Sequence, residues 1–223
     1  MTIDNDDLIN SIIASLGRID NISLDELPNI DLYMDQLTSF MGERLKKSTR
    51  YPESDKILTK TMINNYAKND LLPPPVRKKY SKDHLILLIF IYYYKNILSI
   101  NDIQTLLGPL KERFKISDDE FNLSDIYESA CTLQTEALGP CIEDLKDKYN
   151  RSMETFLDAN IDDEERKKLQ VFSFISLLSY DVYVKKLLIE KILDNITESR
   201  KTDADKRKEK ADREKKKKTK GNI

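Results

Sequence analysis

The residues that build metal centres and catalytic sites are scarce in this chain. Among 223 residues there are two cysteines, Cys131 and Cys141, and one histidine, His84. Neither cysteine has a Cys or His companion at the spacing of a metal site, so we expect no metal and no cofactor. A lone histidine is usually structural, although it can tune a response to pH. With no glycine-rich phosphate loop and no nucleophile beside a base, we do not expect an enzyme.

Long apolar runs are also missing. The longest, Leu85–Tyr94, has ten residues, about half of the roughly 20 that a membrane-spanning helix needs. The residues after Met1 are acidic, whereas a secretory signal would be basic there. We therefore expect no membrane contact, a cytoplasmic location and free thiols. A redox role for the two cysteines stays open.

Glycine occurs only five times and proline seven times, and turn dipeptides are few. Most of the chain instead shows apolar residues at the 3.6-residue period of helices, without an alternating series of strands. The sequence therefore predicts an all-α fold in four parts. These are an N-terminal amphipathic helix and linker (1–28), a helical domain (29–112), a helical dimerisation or regulatory region (113–199) and a disordered basic tail (200–223).

Capping residues and helix breakers predict where the individual helices lie. The expected ranges are 4–16, 30–45, 59–68, 82–98, 99–107, 138–156 and 162–199. A capping box is predicted at Ser117–Glu120. Gly108-Pro109 is expected to end one helix and Gly139-Pro140 to break another, because proline lacks the donor that a helix interior needs.

The net charge of −2 hides a strong segregation of charge. Residues 46–82 contain ten Lys or Arg against three Asp or Glu, and residues 200–220 contain twelve against five. Both segments are therefore net +7, and the rest of the chain is acidic. A basic patch and a basic tail on an acidic protein indicate local contact with a polyanion.

The basic patch centres on the stretch Leu58–Ser81. Thr59 is a natural N-cap, and the helix after it has two faces at 100° per residue. Thr61, Asn64, Asn65 and Lys68 share the polar face, and Met62, Ile63 and Tyr66 share the apolar one. Asn and Thr are poor helix formers whose amides and hydroxyls can bond to base edges, so their presence needs a reason. Three prolines, Pro73-Pro74-Pro75, then lead to the cationic run Arg77-Lys78-Lys79.

These residues carry a resemblance to known families. The order Leu58-Thr-x-Thr-x-Ile-x-x-Tyr66, Leu71-Leu72-Pro73, Tyr80-Ser81 and then Leu98-Ser-Ile-x-Asp-Ile resembles the winged helix-turn-helix of MerR-type transcription regulators. It also resembles the uncharacterised bacterial domain-of-unknown-function family eighteen-thirty-six. The resemblance covers about residues 31–110 and implies a MerR-like winged helix-turn-helix over residues 29–112, followed by a helical C-terminal region.

The resemblance further implies that residues 59–68 form a recognition helix and residues 73–80 a wing. MerR proteins usually have an Arg before paired aromatics on that helix and Gly-Tyr-Arg in the wing. This chain has Asn64-Asn65-Tyr66 and a short arm with three prolines instead, so a preferred DNA sequence cannot be carried over.

The predicted partner is double-stranded DNA, bound by a homodimer that regulates transcription. Base reading is expected from Thr61, Asn64 and Asn65, and phosphate contact from the cations. The expected DNA-binding residues are Lys60, Thr61, Asn64, Asn65, Lys68, Arg77, Lys78, Lys79, Tyr80 and Lys82.

Two other interpretations of this stretch stay open. The chain can be a helical protein-interaction module that keeps the fold without binding DNA, or the polar face can be an ordinary solvated surface. The operator, the direction of regulation and any small-molecule effector are not encoded in a recognisable motif.

Overall fold

Helices make up most of the protein, in agreement with the predicted all-α class. The computed structural model describes residues 5–16, 21–46, 49, 51, 57–114 and 121–220. The predicted capping box at Ser117–Glu120 therefore lies mostly outside the described residues. In chain order the elements are α1 (Asn5–Leu16), β1 (Leu32–Tyr33), α2 (Met34–Leu45), α3 (Lys60–Lys68), β2 (Lys79–Tyr80), α4 (Lys82–Tyr94), α5 (Ile100–Phe114), α6 (Leu123–Met153) and α7 (Asp163–Lys220).

A two-stranded antiparallel sheet stands where the sequence predicted the start of a helix. Leu32 pairs with Tyr80, and Tyr33 pairs with Lys79. The helix expected from residue 30 therefore begins only at Met34, because Tyr33 acts as its N-cap and donates its backbone N–H to the Gln36 side chain at 2.9 Å. Buried Leu32 gives this short strand its place against the core.

Helix α4 is the centre of the core. Nine consecutive residues, His84 through Tyr92, are buried, which matches the apolar sequence of this segment. The helix packs against β2, α5 and α6. Residues 21–28, expected to be a linker, also belong to this core, because Ile22 and Leu27 are buried and the Tyr127 hydroxyl donates to the Ile22 carbonyl at 2.6 Å.

Neither Gly-Pro pair ends a helix, contrary to the prediction. Helix α5 continues through Pro109 to Phe114, and α6 continues through Pro140 to Met153. Proline in a helix interior costs about 3 kcal/mol, and in α5 packing on both sides of Pro109 compensates for this. In α5, Leu107 is buried before the proline, and Leu110 and Phe114 pack on the core after it.

The C-terminal half is a long antiparallel helix pair. The ring of Tyr149 on α6 meets that of Phe174 on α7 edge to face at 5.4 Å, and Gln170 Nε2 donates to the Met153 carbonyl at 2.6 Å. Farther along, α7 returns to the core through buried Leu193. There Arg200 Nη1 donates to the Thr105 carbonyl of α5 at 3.3 Å.

The tail also differs from the prediction. Helix α7 was predicted to end near Ser199, whereas its backbone continues to Lys220. The sequence there places Asp or Glu four residues before Lys or Arg, as in Glu209 with Arg213 and Glu214 with Lys218. Such spacing favours a helix. Among the described residues, no helix has the length and apolar character needed to cross a membrane.

Candidate nucleic-acid interface

Helix α3 has the two faces that its sequence predicts. Its N-cap is Thr59, whose hydroxyl accepts the Met62 N–H at 3.2 Å. Ile63 and Tyr66 are buried, and Met62 packs against the core. All four residues of the predicted polar face are exposed: Thr61, Asn64, Asn65 and Lys68. One side of the helix thus anchors it while the other presents amides, a hydroxyl and an ammonium group to solvent.

The C-terminal end of α3 is fixed to helix α5. Asp70 takes the left-handed conformation, with φ 51°, which lets the Leu71 N–H return to the Tyr66 carbonyl at 2.8 Å. From α5, Gln104 donates to the Asn69 carbonyl. Lys111, also on α5, forms an ion pair with Asp70 at 2.7 Å. These contacts hold the polar face in one orientation relative to the core.

The segment predicted as the wing contains a tight two-residue hairpin. The backbone of Val76 and Lys79 exchanges two hydrogen bonds of 3.0 and 2.9 Å. The two residues between them have positive φ, 50° at Arg77 and 66° at Lys78. Such hairpins normally use Asn-Gly, because residues with a larger Cβ-bearing side chain are strained there. Arg77 and Lys78 thus lie exposed at the tip of the hairpin in a strained backbone conformation.

At the base of the predicted wing, Tyr80 is not placed to make the DNA contact that the sequence predicted for it. Tyr80 is 3% exposed and packs edge to face on the ring of His84 at 5.4 Å, so it cannot touch DNA. The period of two in a strand explains this, because Tyr80 pairs with buried Leu32 and Lys79 pairs with exposed Tyr33. Lys79 is half-buried, and its ammonium lies 5.2 Å from the centre of the Tyr33 ring.

His84 connects the proline arm to the start of α4. Its Nδ1 accepts the Ser81 backbone N–H at 3.0 Å and lies 2.8 Å from the Ser81 hydroxyl. Its Nε2 donates to the Pro74 carbonyl at 3.4 Å. Burial lowers the pKa of His84 below its usual 6.5, and the backbone at Pro74 and the charge of Asp31 oppose this only in part. The imidazole is therefore a neutral link between the wing and the core.

The remaining two predicted contacts are less free than the sequence suggested. Lys60 is exposed but forms an ion pair with Asp35 in the first turn of α2. Such an exposed pair is worth little, so a phosphate can replace the carboxylate. Lys82, the first residue of α4, is half-buried.

Helix α2 joins the two parts of the interface. It packs against both α3 and β2, so the same helix supports the polar face of α3 and the strand at the base of the hairpin. Sequence reasoning missed Tyr33 and Val76, which are 52% and 68% exposed at the wing. Only the strand pairing reveals them, because neither stands out by residue type.

Residues 22–130 match the family model described as Domain of unknown function (DUF1836). No curated protein and no solved structure matches the chain. The matched range begins at Ile22, where the N-terminal segment enters the core, and ends within α6. The family match thus covers the whole candidate interface, and it supports the assignment of this part of the chain to the DUF1836 family.

Proposed function

We propose that the chain is a DNA-binding transcription regulator with a MerR-like winged helix-turn-helix. The observation that carries this is the joint display of one polar helix face and one cationic hairpin tip on the same support, helix α2. The element order also supports it. A strand, two helices, a hairpin and two further helices follow one another, which is compatible with a winged helix-turn-helix.

In this proposal α3 enters the major groove. The amides of Asn64 and Asn65 and the hydroxyl of Thr61 are exposed and can bond to base edges, asparagine preferring adenine. Lys68 and the hairpin tip, Arg77 and Lys78, hold phosphates on either side. Lys60 joins them by exchanging Asp35 for a phosphate, and Lys82 and Lys79 reinforce the local positive field.

The competing interpretation is a protein-interaction module on the same scaffold. Surfaces that bind proteins usually centre on an aromatic or aliphatic anchor, whereas the exposed face of α3 consists of Thr61, Asn64, Asn65 and Lys68. Its composition therefore favours a polar, anionic partner. With double-stranded DNA as that partner, the proposed role is regulation of transcription in the cytoplasm.

The test is selection from a pool of random duplexes, followed by anisotropy titrations at several salt concentrations. Asn64→Ala/Asn65→Ala should reduce discrimination between selected and random duplexes, at a cost of about 1–3 kcal/mol for each lost contact. Lys78→Ala should weaken all duplexes alike and lower the salt slope by about one. The matched control is Lys167→Ala, an exposed lysine on α7 far from the interface, which should change neither quantity.

No binding at about 50 mM salt, where phosphate contacts contribute most, would exclude this function. Binding that Asn64→Ala/Asn65→Ala and Lys78→Ala leave unchanged would place the interface elsewhere. Capture of a protein on the α3 face in nuclease-treated extract, without affinity for any duplex, would favour the interaction module.

A further inference from the structure

The middle of α7 is exposed on every side although most of it is apolar. Residues 182–189 are all exposed, and six of the eight are Val, Leu, Ile or Tyr. A helix that is apolar all round is normally buried. We call residues 182–192, which include exposed Ile192, the bare segment.

The bare segment is held in place at both ends, so it is not a loose end of the chain. Before it, Asp181 is paired with Lys148 of α6 at 3.2 Å. After it, Leu193 is 2% exposed in the core, and the Thr197 hydroxyl lies 3.3 Å from that of Thr105. Helix α7 is therefore anchored at residues 181 and 193, and between them its large apolar side chains are 37–63% exposed.

The sequence of α6 explains the gap. Extending the antiparallel register set by Lys148 and Asp181 brings the bare segment alongside residues 137–147 of α6, which include Gly139. Gly139 has no side chain, and a Cβ added there would meet nothing within 4 Å. Gly139 thus contributes no side chain, and the half-buried Leu138, Ile142 and Leu145 of α6 leave much of the bare segment without cover among the described residues.

The size of the exposed surface fits a protein partner. Ten large apolar side chains of α7 are more than a third exposed: Phe172, Ile175, Tyr180, Val182, Tyr183, Val184, Leu187, Leu188, Ile189 and Ile192. Together they present on the order of 800 Å², about what each partner buries in a standard interface. A monomer rarely leaves so much contiguous apolar surface in water.

A surface of complementary character exists on the same molecule. On the outer face of α6, Leu133, Ala137 and Pro140 form a small apolar strip, and Leu133 is 67% exposed. Acidic side chains border this strip on the same exposed face: Glu136, Glu143, Asp144 and Asp147. Residues 128–151 contain five Asp or Glu against three Lys or Arg, whereas the bare segment contains three Lys against one Glu.

We infer that the bare segment of one copy docks on the outer face of α6 of a second copy. A two-fold axis then makes the contact twice, so that the two helix pairs form a four-helix bundle. Apolar side chains supply the affinity, and the opposite charges of the two surfaces select this pairing over contact between two bare segments. This inference does not depend on DNA binding.

The test is the mass of the full chain in solution by analytical ultracentrifugation over about a hundredfold range of concentration. The wild type should be dimeric. Leu187→Asp/Leu188→Asp, on two adjacent sides of the bare segment, and Leu133→Asp, on α6, should each be monomeric with unchanged helicity by circular dichroism. The matched control, Ile97→Asp/Ile100→Asp, changes two exposed isoleucines outside both surfaces and should remain dimeric.

Mixing the two monomeric variants tests the pairing itself. A mixed dimer has one intact contact and one contact damaged on both sides, so heterodimers should form where neither variant self-associates. This rescue also shows that both variants are folded. A monomeric wild type, a dimer that survives Leu187→Asp/Leu188→Asp, or failure of the mixture to associate would overturn the inference. A dimer that binds no duplex would remove only the proposed function.

Discussion

The recognition unit and the middle of α7 are both exposed helical surfaces, but they are opposite in what supports them. Under α3 lies a filled core, with Ile63 fully buried and only polar groups facing outward. Around residues 182–189 the large side chains are apolar and more than a third exposed, and Gly139 of the neighbouring helix contributes no side chain to cover them. The apolar side of α3 is fully packed within one chain, and its polar exposed side suits a charged partner. The second is incomplete until an apolar partner covers it.

The largest expected effect contrasts one buried and one exposed apolar residue. Ile63→Ala should lower the free energy of unfolding by about 2–5 kcal/mol, because it removes a packed side chain and leaves a cavity. Leu188→Ala should change it by less than about 0.5 kcal/mol. Urea denaturation followed by circular dichroism measures both, at the lowest practical concentration because association adds stability. Equal effects would mean that residue 188 is already buried in the monomer.

A smaller effect concerns pH and sharpens the description of the recognition unit. The pKa of His84 is lowered in the folded state by burial, so between that pKa and about 6.5 only the unfolded chain binds the proton. Stability should therefore be complete above about pH 6.5 and fall as the pH falls through this window. Denaturation midpoints at several pH values measure this.

The control for the pH effect is His84→Gln, which can still accept from Ser81 and donate to Pro74 but does not titrate. It should flatten the stability profile between about pH 5 and 7. Asp83, whose pKa is raised by burial, acts with the opposite sign at lower pH, and its contribution remains in the control. A wild-type profile with the same slope as that of His84→Gln would contradict the role given to His84.

The smallest expected effect lies in the strained hairpin. Replacing Arg77-Lys78 by Asn-Gly, the usual residues at two positive φ angles, should stabilise the fold by about 1 kcal/mol. The same change removes two proposed phosphate contacts and should weaken duplex binding. Arg77→Ala/Lys78→Ala is the matched control, since it removes the charges but keeps the strain. Unchanged DNA affinity in the Asn-Gly variant would show that the tip has no part in binding.

Much of the recognition unit follows from local sequence. The faces of α3 depend on a 3.6-residue period and on the cap at Thr59, which act within a few residues, so both were predictable. The apolar run of α4 predicted its burial for the same reason. Tyr80, by contrast, looked like a wing contact, because its direction depends on pairing with Leu32 nearly fifty residues earlier.

In helices α5 and α6, by contrast, local sequence predicted the helix ends wrongly. Gly108-Pro109 is a strong local stop signal, but α5 continues because Leu107, Leu110 and Phe114 pack on distant parts of the chain. Helix α6 also continues through Gly139-Pro140, although both residues are exposed. The hydrogen bond between His84 and the Pro74 carbonyl could not be predicted from the sequence either, because it forms only when the fold brings the proline arm over the start of α4.

The sequence by itself determined the helical class, the two faces of α3, the buried α4 and the segregation of charge, because these depend on periodicity and composition. Only the tertiary structure decided which tyrosine is buried, which prolines are tolerated and which part of α7 is left without cover. Those outcomes depend on contacts between residues far apart in the chain, and no local pattern contains them.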